Sequence, residues 1–362
     1  MKIIIAGGGT GGHIFPALAI ANALKKIDSA IEILFVGANG KMEMEKVPEA
    51  GYKIEGLDIA GFNRSSLIKN VGLPFKLIKS FLQVRRIFKS FNPDAAVGVG
   101  GYSTYPVLRS AQSRNIPTFI HESNSLPGKS NMLLGKRATR IFVPSEGMDR
   151  YFPAEKISIT GNPVRNIFLQ KIDKADALKF FGLDAAKKTV FVMGGSQGAK
   201  SINETINENI DAFKKNDLQL IWQTGKNYAA TAAKAEEERM NIWTNAFIDK
   251  MECAYAAADV VIARSGAMTI AEMCVVGKPA IFVPYPFSAE DHQVVNAKNL
   301  VDKNAALMLK DAEVKERLMP ELLRLVNDKG LIEQLQNNVS KLGNTNADEV
   351  IAHEILNHIK NN

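Results

Sequence analysis

Two short β-branched runs, each emptying into a glycine cluster, constrain this chain more than any other feature. The first is Lys2-Ile3-Ile4-Ile5-Ala6, followed by Gly7-Gly8-Gly9-Thr10-Gly11-Gly12-His13. The second, half a chain later, is Thr189-Val190-Phe191-Val192-Met193, followed by Gly194-Gly195-Ser196-Gln197-Gly198-Ala199. Runs of this length and apolarity predict parallel strands buried on both faces. A helical pattern follows each loop, so backbone N–H groups and a helix N-terminus converge on one point. That arrangement holds anions, phosphates above all. One such unit marks a nucleotide-binding domain; two predict a pair of domains facing a shared cleft.

Strand-like runs recur in both halves, at 2–6, 31–36, 95–99, 117–121, 140–144 and 157–160, then at 189–193, 218–223, 245–248, 259–263, 280–284 and 306–309. Helical patterns lie between them, at Pro16–Lys26, Pro74–Ser90, Ser201–Phe213, Tyr228–Arg239, Thr269–Val276 and His292–Asp302. Two series of alternating strands and helices predict an α/β protein of two doubly wound, Rossmann-like domains. The turn-rich Gly161-Asn162-Pro163 places the boundary, giving domains 1–163 and 164–340. With 362 residues, both can hold full cores. Cys253 and Cys274 show no zinc or redox spacing and fit a reducing compartment. The first glycines come too early for a signal peptide, and no apolar run reaches membrane-spanning length. A cytoplasmic protein without a metal site is expected.

Gly7, Gly9 and Gly12 fit the dinucleotide pattern. That reading also wants an acid at the end of the second strand, which instead closes Phe35-Val36-Gly37-Ala38-Asn39. His13 stands at a helix start beside an anion loop, where an ionisable ring can either cap the helix or do chemistry. Gly98-Val99-Gly100-Gly101-Tyr102-Ser103 forms a third glycine loop. His121-Glu122-Ser123-Asn124 ends another strand, at the edge where open α/β sheets bind ligands. In the second half, Arg264-Ser265-Gly266-Ala267-Met268-Thr269 joins strand to helix. Glu272 follows in that helix, where a carboxylate could accept bonds from two ribose hydroxyls or simply favour the helix dipole. Asp291-His292-Gln293 opens the next helix and either caps it or reaches the same cleft.

The net charge of +7 is localised. From Ile59 to Pro93 there is no Asp or Glu, while Arg64, Lys69, Lys76, Lys79, Arg85, Arg86 and Lys89 all fall inside. The same stretch holds Leu73, Phe75, Leu77, Ile78, Phe81, Leu82, Ile87 and Phe88. It is too apolar for a solvated face and too basic for a plain core helix.

In order and spacing, several of these motifs match one family together. They are Gly8–His13, Gly100-Gly101-Tyr102, His121–Asn124, Gly161-Asn162-Pro163-Val164-Arg165, Gly194–Ala199, Phe247-Ile248, Arg264–Ala267 and Gln293. Over nearly its whole length the chain resembles the MurG family, glycosyltransferase family 28, whose members convert lipid I to lipid II in peptidoglycan synthesis. One position departs, Ser123, where the family often has glutamine.

The resemblance implies a GT-B fold, with a terminal helix (341–362) packing back on the first domain. It implies UDP-N-acetylglucosamine as donor, and donor-binding roles for Thr10, Gly11, Gly12, Asn124, Arg165, Ser196, Ile248, Ala267, Met268, Thr269, Glu272 and Gln293. Gly9, Gly100, Gly101 and Tyr102 would face the acceptor diphosphate. His13 is the expected general base, since an imidazole titrates near ~6.5, with Glu122 the second choice; no cofactor is implied. Lipid I is anchored in the inner leaflet, so Phe75, Lys76, Ile78, Lys79, Phe81, Leu82, Arg85 and Arg86 would meet an anionic phospholipid surface. Leu77, Phe81, Val84 and Phe88 have the spacing of a core face, so one face can be buried and the other presented. The expected location is the cytoplasmic face of the inner membrane, bound peripherally, with no nucleic-acid partner. Two alternatives stay open: another GT-B enzyme of UDP-N-acetylglucosamine, such as the 2-epimerase or a glycolipid transferase, and a nucleotide-binding protein without catalysis.

Overall fold

The computed structural model describes residues 1–61, 72–195, 197–237, 241–288 and 291–360. The chain divides into two compact units, Met1–Arg165 with Asn344–Asn362, and Asn166–Gly343. Thirteen strands are described: β1 Lys2–Ala6, β2 Glu32–Ala38, β3 Lys53–Leu57, β4 Ala95–Gly98, β5 Thr118–His121, β6 Arg140–Val143, β7 Ile157–Ile159, β8 Lys188–Met193, β9 Leu218–Gln223, β10 Ile242–Asn245, β11 Val260–Ala263, β12 Ala280–Phe282 and β13 Leu307–Met308.

The first unit carries a seven-stranded parallel sheet in the order β3-β2-β1-β4-β5-β6-β7. Ile3, Ile4 and Ile5 of β1 are fully buried, because helices cover both faces of the sheet's centre. One face packs the helix Gly11–Ile27 and the closing helix Ala347–Lys360, whose Ile351, Ile355 and Leu356 share a core with Ile20 and Leu24. The other face packs Val84, Ile87 and Phe88 with Val107, Leu108 and Leu134. The second unit carries a six-stranded parallel sheet, β10-β9-β8-β11-β12-β13. Strand order reverses between β1 and β4 in one sheet and between β8 and β11 in the other. Such switch points open a crevice at the strands' carboxyl ends. All the glycine loops read from the sequence lie at these two points.

Three elements differ from the periodicity. The edge strand β3 carries Lys53 and Glu55 on its exposed side, so it lacks the apolar run that marks a buried strand. Strand β10 sits three residues earlier than 245–248, since Phe247-Ile248 belongs to the loop beyond it. The helix after the first loop begins at Gly11 and carries Pro16 within it, although proline favours a helix's first turn.

The closing helix completes the first unit's core with no backbone pairing to the sheet. Ile355→Ala is therefore expected to cost that unit about 2–4 kcal/mol through an unfilled cavity. Amide exchange at β1 and β4 should read this loss, while exchange at β8 should not change.

Candidate functional site

At the carboxyl end of the first sheet, the loops after β1, β2 and β4 interlock. The Gly8 N–H donates to the Gly100 carbonyl at 3.2 Å. A Cβ on Gly101 would lie 2.4 Å from the Gly8 carbonyl oxygen, which bars any larger residue there. Gly8, Gly9, Gly100 and Gly101 have φ of 144°, 89°, 95° and 93°, the region that favours glycine.

His13 stands in the first turn of the following helix, its Nδ1 3.0 Å from the Gly8 carbonyl oxygen. A carbonyl only accepts, so the neutral ring carries its proton on Nδ1 and keeps the lone pair on Nε2. Nε2 borders Gly100, where an added Cβ would come within 2.7 Å. Tyr102, 45% exposed, lays its ring against Gly61. Thr10 is exposed, and Gly11 and Gly12 are half-buried at the helix start. The Arg165 guanidinium stacks 5.2 Å from the centre of the Phe15 ring on the same helix. Arg165 thus belongs to the first unit, two residues beyond the expected boundary.

Sequence reasoning missed Glu43. Its side chain is buried inside the first glycine loop and accepts the Gly9 N–H at 2.7 Å and the Ala38 N–H at 2.9 Å. The signal was an acid five residues past the strand end, further on than a ribose-binding acid is sought. This placement corrects the expectation for Gly9, whose N–H is committed to a carboxylate inside the protein. It also counts against a dinucleotide, whose pyrophosphate would need that loop.

Glu122 is corrected as well. Its carboxylate accepts the N–H groups of Asn124 and Gly128 at 2.9 and 3.1 Å, and the side-chain amides of Asn124 and Asn131 at 3.2 and 2.9 Å. With its lone pairs engaged and 4% exposure, it shapes the 123–131 loop and is not poised as a base. Neighbouring His121 is fully buried, and desolvation pushes it down to about 4, helped by the nearby His13. Among the described residues, no three His, Cys, Asp or Glu side chains gather as a metal site.

In the second unit the loop after β8 packs on the loop after β9. A Cβ on Gly225 would strike the Gly198 nitrogen at 2.2 Å, and Asn203 bridges them by donating to the Thr224 carbonyl at 2.7 Å. Ser196 lies outside the described residues. Ala267, Met268 and Thr269 form the first turn of the helix Ala267–Val276, so their N–H groups have no partner within that helix. One turn on, the buried Tyr255 hydroxyl donates to Glu272 Oε2 at 2.8 Å and fixes that carboxylate. Ile248 is buried and gives its N–H to Gln223 Oε1 at 3.0 Å. Gln293 accepts the Tyr285 N–H through its side chain and the Ser265 hydroxyl through its carbonyl, at 2.9 and 2.8 Å. A cleft of about 680 Å³ opens beside the loop, lined by Gln197, Gly198, Arg264, Tyr285, Phe287 and Asp311. Of the motif residues, Gln197, Gly198 and Arg264 line it, whereas Ile248, Glu272 and Gln293 do not.

The basic apolar stretch forms the helix Leu73–Phe91. Ser80, Val84, Ile87 and Phe88 face inward, whereas Phe75, Ile78 and Leu82 are 76%, 60% and 56% exposed. Lys76, Arg85 and Arg86 flank them, also exposed. Phe81 belongs to the inward side, edge-on to Tyr105 at 6.4 Å, which corrects its place in the outward group. Lys79 pairs with Asp58 at 2.8 Å. Arg64 and Lys69 lie outside the described residues.

Residues 3–143 match the glycosyltransferase family 28 N-terminal domain and residues 189–355 the family's C-terminal domain. The chain belongs to glycosyltransferase family 28. A Phocaeicola vulgatus relative, a UDP-N-acetylglucosamine–N-acetylmuramyl-(pentapeptide) pyrophosphoryl-undecaprenol N-acetylglucosamine transferase, is 50% identical over 98% of this chain and 96% of its own length. A Flavobacterium psychrophilum relative of the same description is 45% identical over 98% and 97%. Acinetobacter baumannii MurG superposes with a TM-score of 0.79 at 27% identity, over 98% of this chain and 99% of its own. A Neisseria meningitidis UDP-GlcNAc 2-epimerase reaches a TM-score of 0.69 at 16% identity, over 99% and 100% of the two chains, and shares the fold alone. Membership favours the transferase reading over the dinucleotide and epimerase alternatives.

The state of His121 predicts an acid-sensitive first unit of this glycosyltransferase. A histidine titrating near 6.5 when unfolded and about 4 when folded binds its proton in the unfolded chain first, so stability falls as pH drops through that window. The full span amounts to about 3 kcal/mol. Amide exchange at β4 and β5 should show this slope between pH 6.5 and 4.5, and His121→Gln should flatten it.

Proposed function

We propose that this family 28 enzyme transfers N-acetylglucosamine from UDP-N-acetylglucosamine to the 4-hydroxyl of N-acetylmuramic acid in lipid I, giving lipid II and UDP. The observation that carries the reading is the full-length likeness, at 45–50% identity, to transferases of that description. Geometry in each unit supplies parts the reaction needs.

The second unit takes the donor. Ile248, its N–H already used, meets the base through its carbonyl, and Glu272 accepts from the ribose hydroxyls in the orientation that Tyr255 sets. The N–H groups of Ala267, Met268 and Thr269 receive the diphosphate at a helix N-terminus. Ser196 adds to the diphosphate site and Gln293 to the sugar site. Within the first unit, Gly100, Gly101 and Tyr102 face the acceptor diphosphate.

His13 Nε2 takes the proton of the acceptor hydroxyl as its oxygen attacks the anomeric carbon. One in-line displacement converts an α-linked donor into a β-linked product and expels UDP. Charge gathers on the leaving diphosphate, so N–H groups already aimed at it lower the barrier most. The Phe75, Ile78 and Leu82 stripe, with Lys76, Arg85 and Arg86 beside it, rests on an anionic leaflet and holds the enzyme peripherally at the cytoplasmic face of the membrane. No helix among the described residues is long and apolar enough to cross a membrane.

Transfer of labelled N-acetylglucosamine from its UDP donor to a lipid I analogue tests the reading, and absence of transfer by the native chain overturns it. His13→Ala is expected to lower turnover about 10²–10⁴-fold, as for loss of a general base, with UDP affinity unchanged. Co-sedimentation with vesicles containing phosphatidylglycerol should be lost when Phe75, Ile78 and Leu82 are replaced by serine. Retained binding would remove the helix from that role.

A further inference from the structure

The contacts of Glu43 and His13 meet on a single peptide group. Glu43 Oε2 accepts the N–H of Gly9 at 2.7 Å, and His13 Nδ1 donates to the C=O of Gly8 at 3.0 Å. That N–H and that C=O are the two ends of the Gly8–Gly9 peptide, which is planar and conjugated. A proton donor thus enters at the oxygen end and a carboxylate draws at the nitrogen end, so each hydrogen bond polarises the group toward the other.

The surroundings keep the carboxylate in that place. Its Oε1 accepts the Ala38 N–H at 2.9 Å, tying it to the end of β2. A Cβ on Gly8 would lie 2.2–2.6 Å from the carboxylate atoms, and one on Gly37 would lie 2.5 Å from Glu43 Cγ. Two glycines therefore make room for this one acid. Glu43 is only 2% exposed and is held by backbone donors, so it is built into the loop, unlike an ordinary first-turn acid on a helix surface.

We infer that Glu43 is a positioning residue for His13, acting through the Gly8–Gly9 peptide. The carboxylate fixes the direction in which the Gly8 carbonyl points and strengthens it as an acceptor. The carbonyl in turn holds the His13 proton on Nδ1 and leaves Nε2 as the basic atom. In serine proteases an aspartate bonds its histidine directly and does this work; here a peptide group stands between the two side chains. The inference rests on His13 serving as the general base, but its structural part is measurable without turnover.

The test is ¹⁵N NMR of histidine-labelled enzyme at a pH where imidazoles are neutral, with the His13 signal assigned from His13→Ala. The native chain should show His13 in the Nδ1–H form. Glu43→Gln should shift it toward the Nε2–H form, because the amide has one oxygen for two N–H donors and turns an NH₂ toward the other. Turnover should fall roughly 10–100-fold, the range seen when a metal-bound histidine loses its orienting partner, with the KM for UDP-N-acetylglucosamine unchanged. In a His13→Ala background Glu43→Gln should cost almost nothing more. Glu43→Asp, which keeps the charge on a shorter arm, should fall between native and Glu43→Gln.

An Nε2–H form in the native enzyme overturns the inference, and that measurement stands even if a variant fails to fold. So does an unmoved tautomer in Glu43→Gln, or a loss of turnover that persists in full without His13. Near-normal turnover of His13→Ala, with the tautomer still responding to Glu43, would instead remove the base assignment and leave the positioning intact.

Discussion

The Gly8–Gly9 peptide is the point on which the first unit's functional end depends. Gly8 donates its N–H to Gly100 and receives His13 on its carbonyl, while Gly9 gives its N–H to Glu43. Loops from three strands are tied together at one place, and each tie needs a residue without Cβ. The requirement runs outward from there. Gly8 must be glycine for the carboxylate to fit, and Gly101 must be glycine for the Gly8 carbonyl to fit. A glycine-rich loop is usually taken as a cradle for a ligand. Here a good part of its glycine content serves the protein's own packing, and the ligand-facing capacity is narrower than the motif suggests.

The second unit solves a similar problem differently. Its polar groups are also anchored from behind: Tyr255 holds Glu272, Gln223 holds the Ile248 backbone, and Asn203 clasps the loop after β9. The helix N-terminus at Ala267 has no side-chain cap, so its first N–H groups lack a partner within the helix. Fixed dipoles of this kind need no reorganisation as charge develops on a leaving group, which is where stabilisation of a transition state has most effect. On the function proposed above, the division of labour is that one unit orients a proton acceptor and the other receives a diphosphate.

Much of this was legible in the chain. β1 and β8 declare themselves because strands buried on both faces must be continuously apolar, and the glycines that follow have few other uses at a strand end. The chemistry-bearing residues stand just past strand ends, so strand positions locate them. What stayed hidden was direction. Periodicity could not say that Glu43 turns back into the loop, or that Glu122 spends its oxygens on Asn124, Gly128 and Asn131. Those outcomes depend on backbone paths between elements, which hydrophobic spacing does not encode. β3 escaped for a related reason: an edge strand with Lys53 and Glu55 facing water has no apolar run to betray it. Phe81 fits both the core spacing of Leu77, Val84 and Phe88 and the outward group, and only its contact with Tyr105 decides between them.

The helix Leu73–Phe91 carries the same lesson into function. A helix needs only one apolar stripe to dock on a sheet, and Val84, Ile87 and Phe88 supply it. Phe75, Ile78 and Leu82 are therefore not needed for packing, yet each stands more than half exposed, at spacings of three and four residues. Leaving three large apolar side chains in water gives up hydrophobic stabilisation that smaller polar residues would not forfeit. The lipid contact proposed above would resolve the conflict, since a headgroup layer over acyl chains accepts both them and the flanking cations. Lys79 directs its charge to Asp58 instead. A surface serving the lipid contact proposed above is therefore smaller than the basic stretch of sequence, and it is centred on the first three turns of the helix.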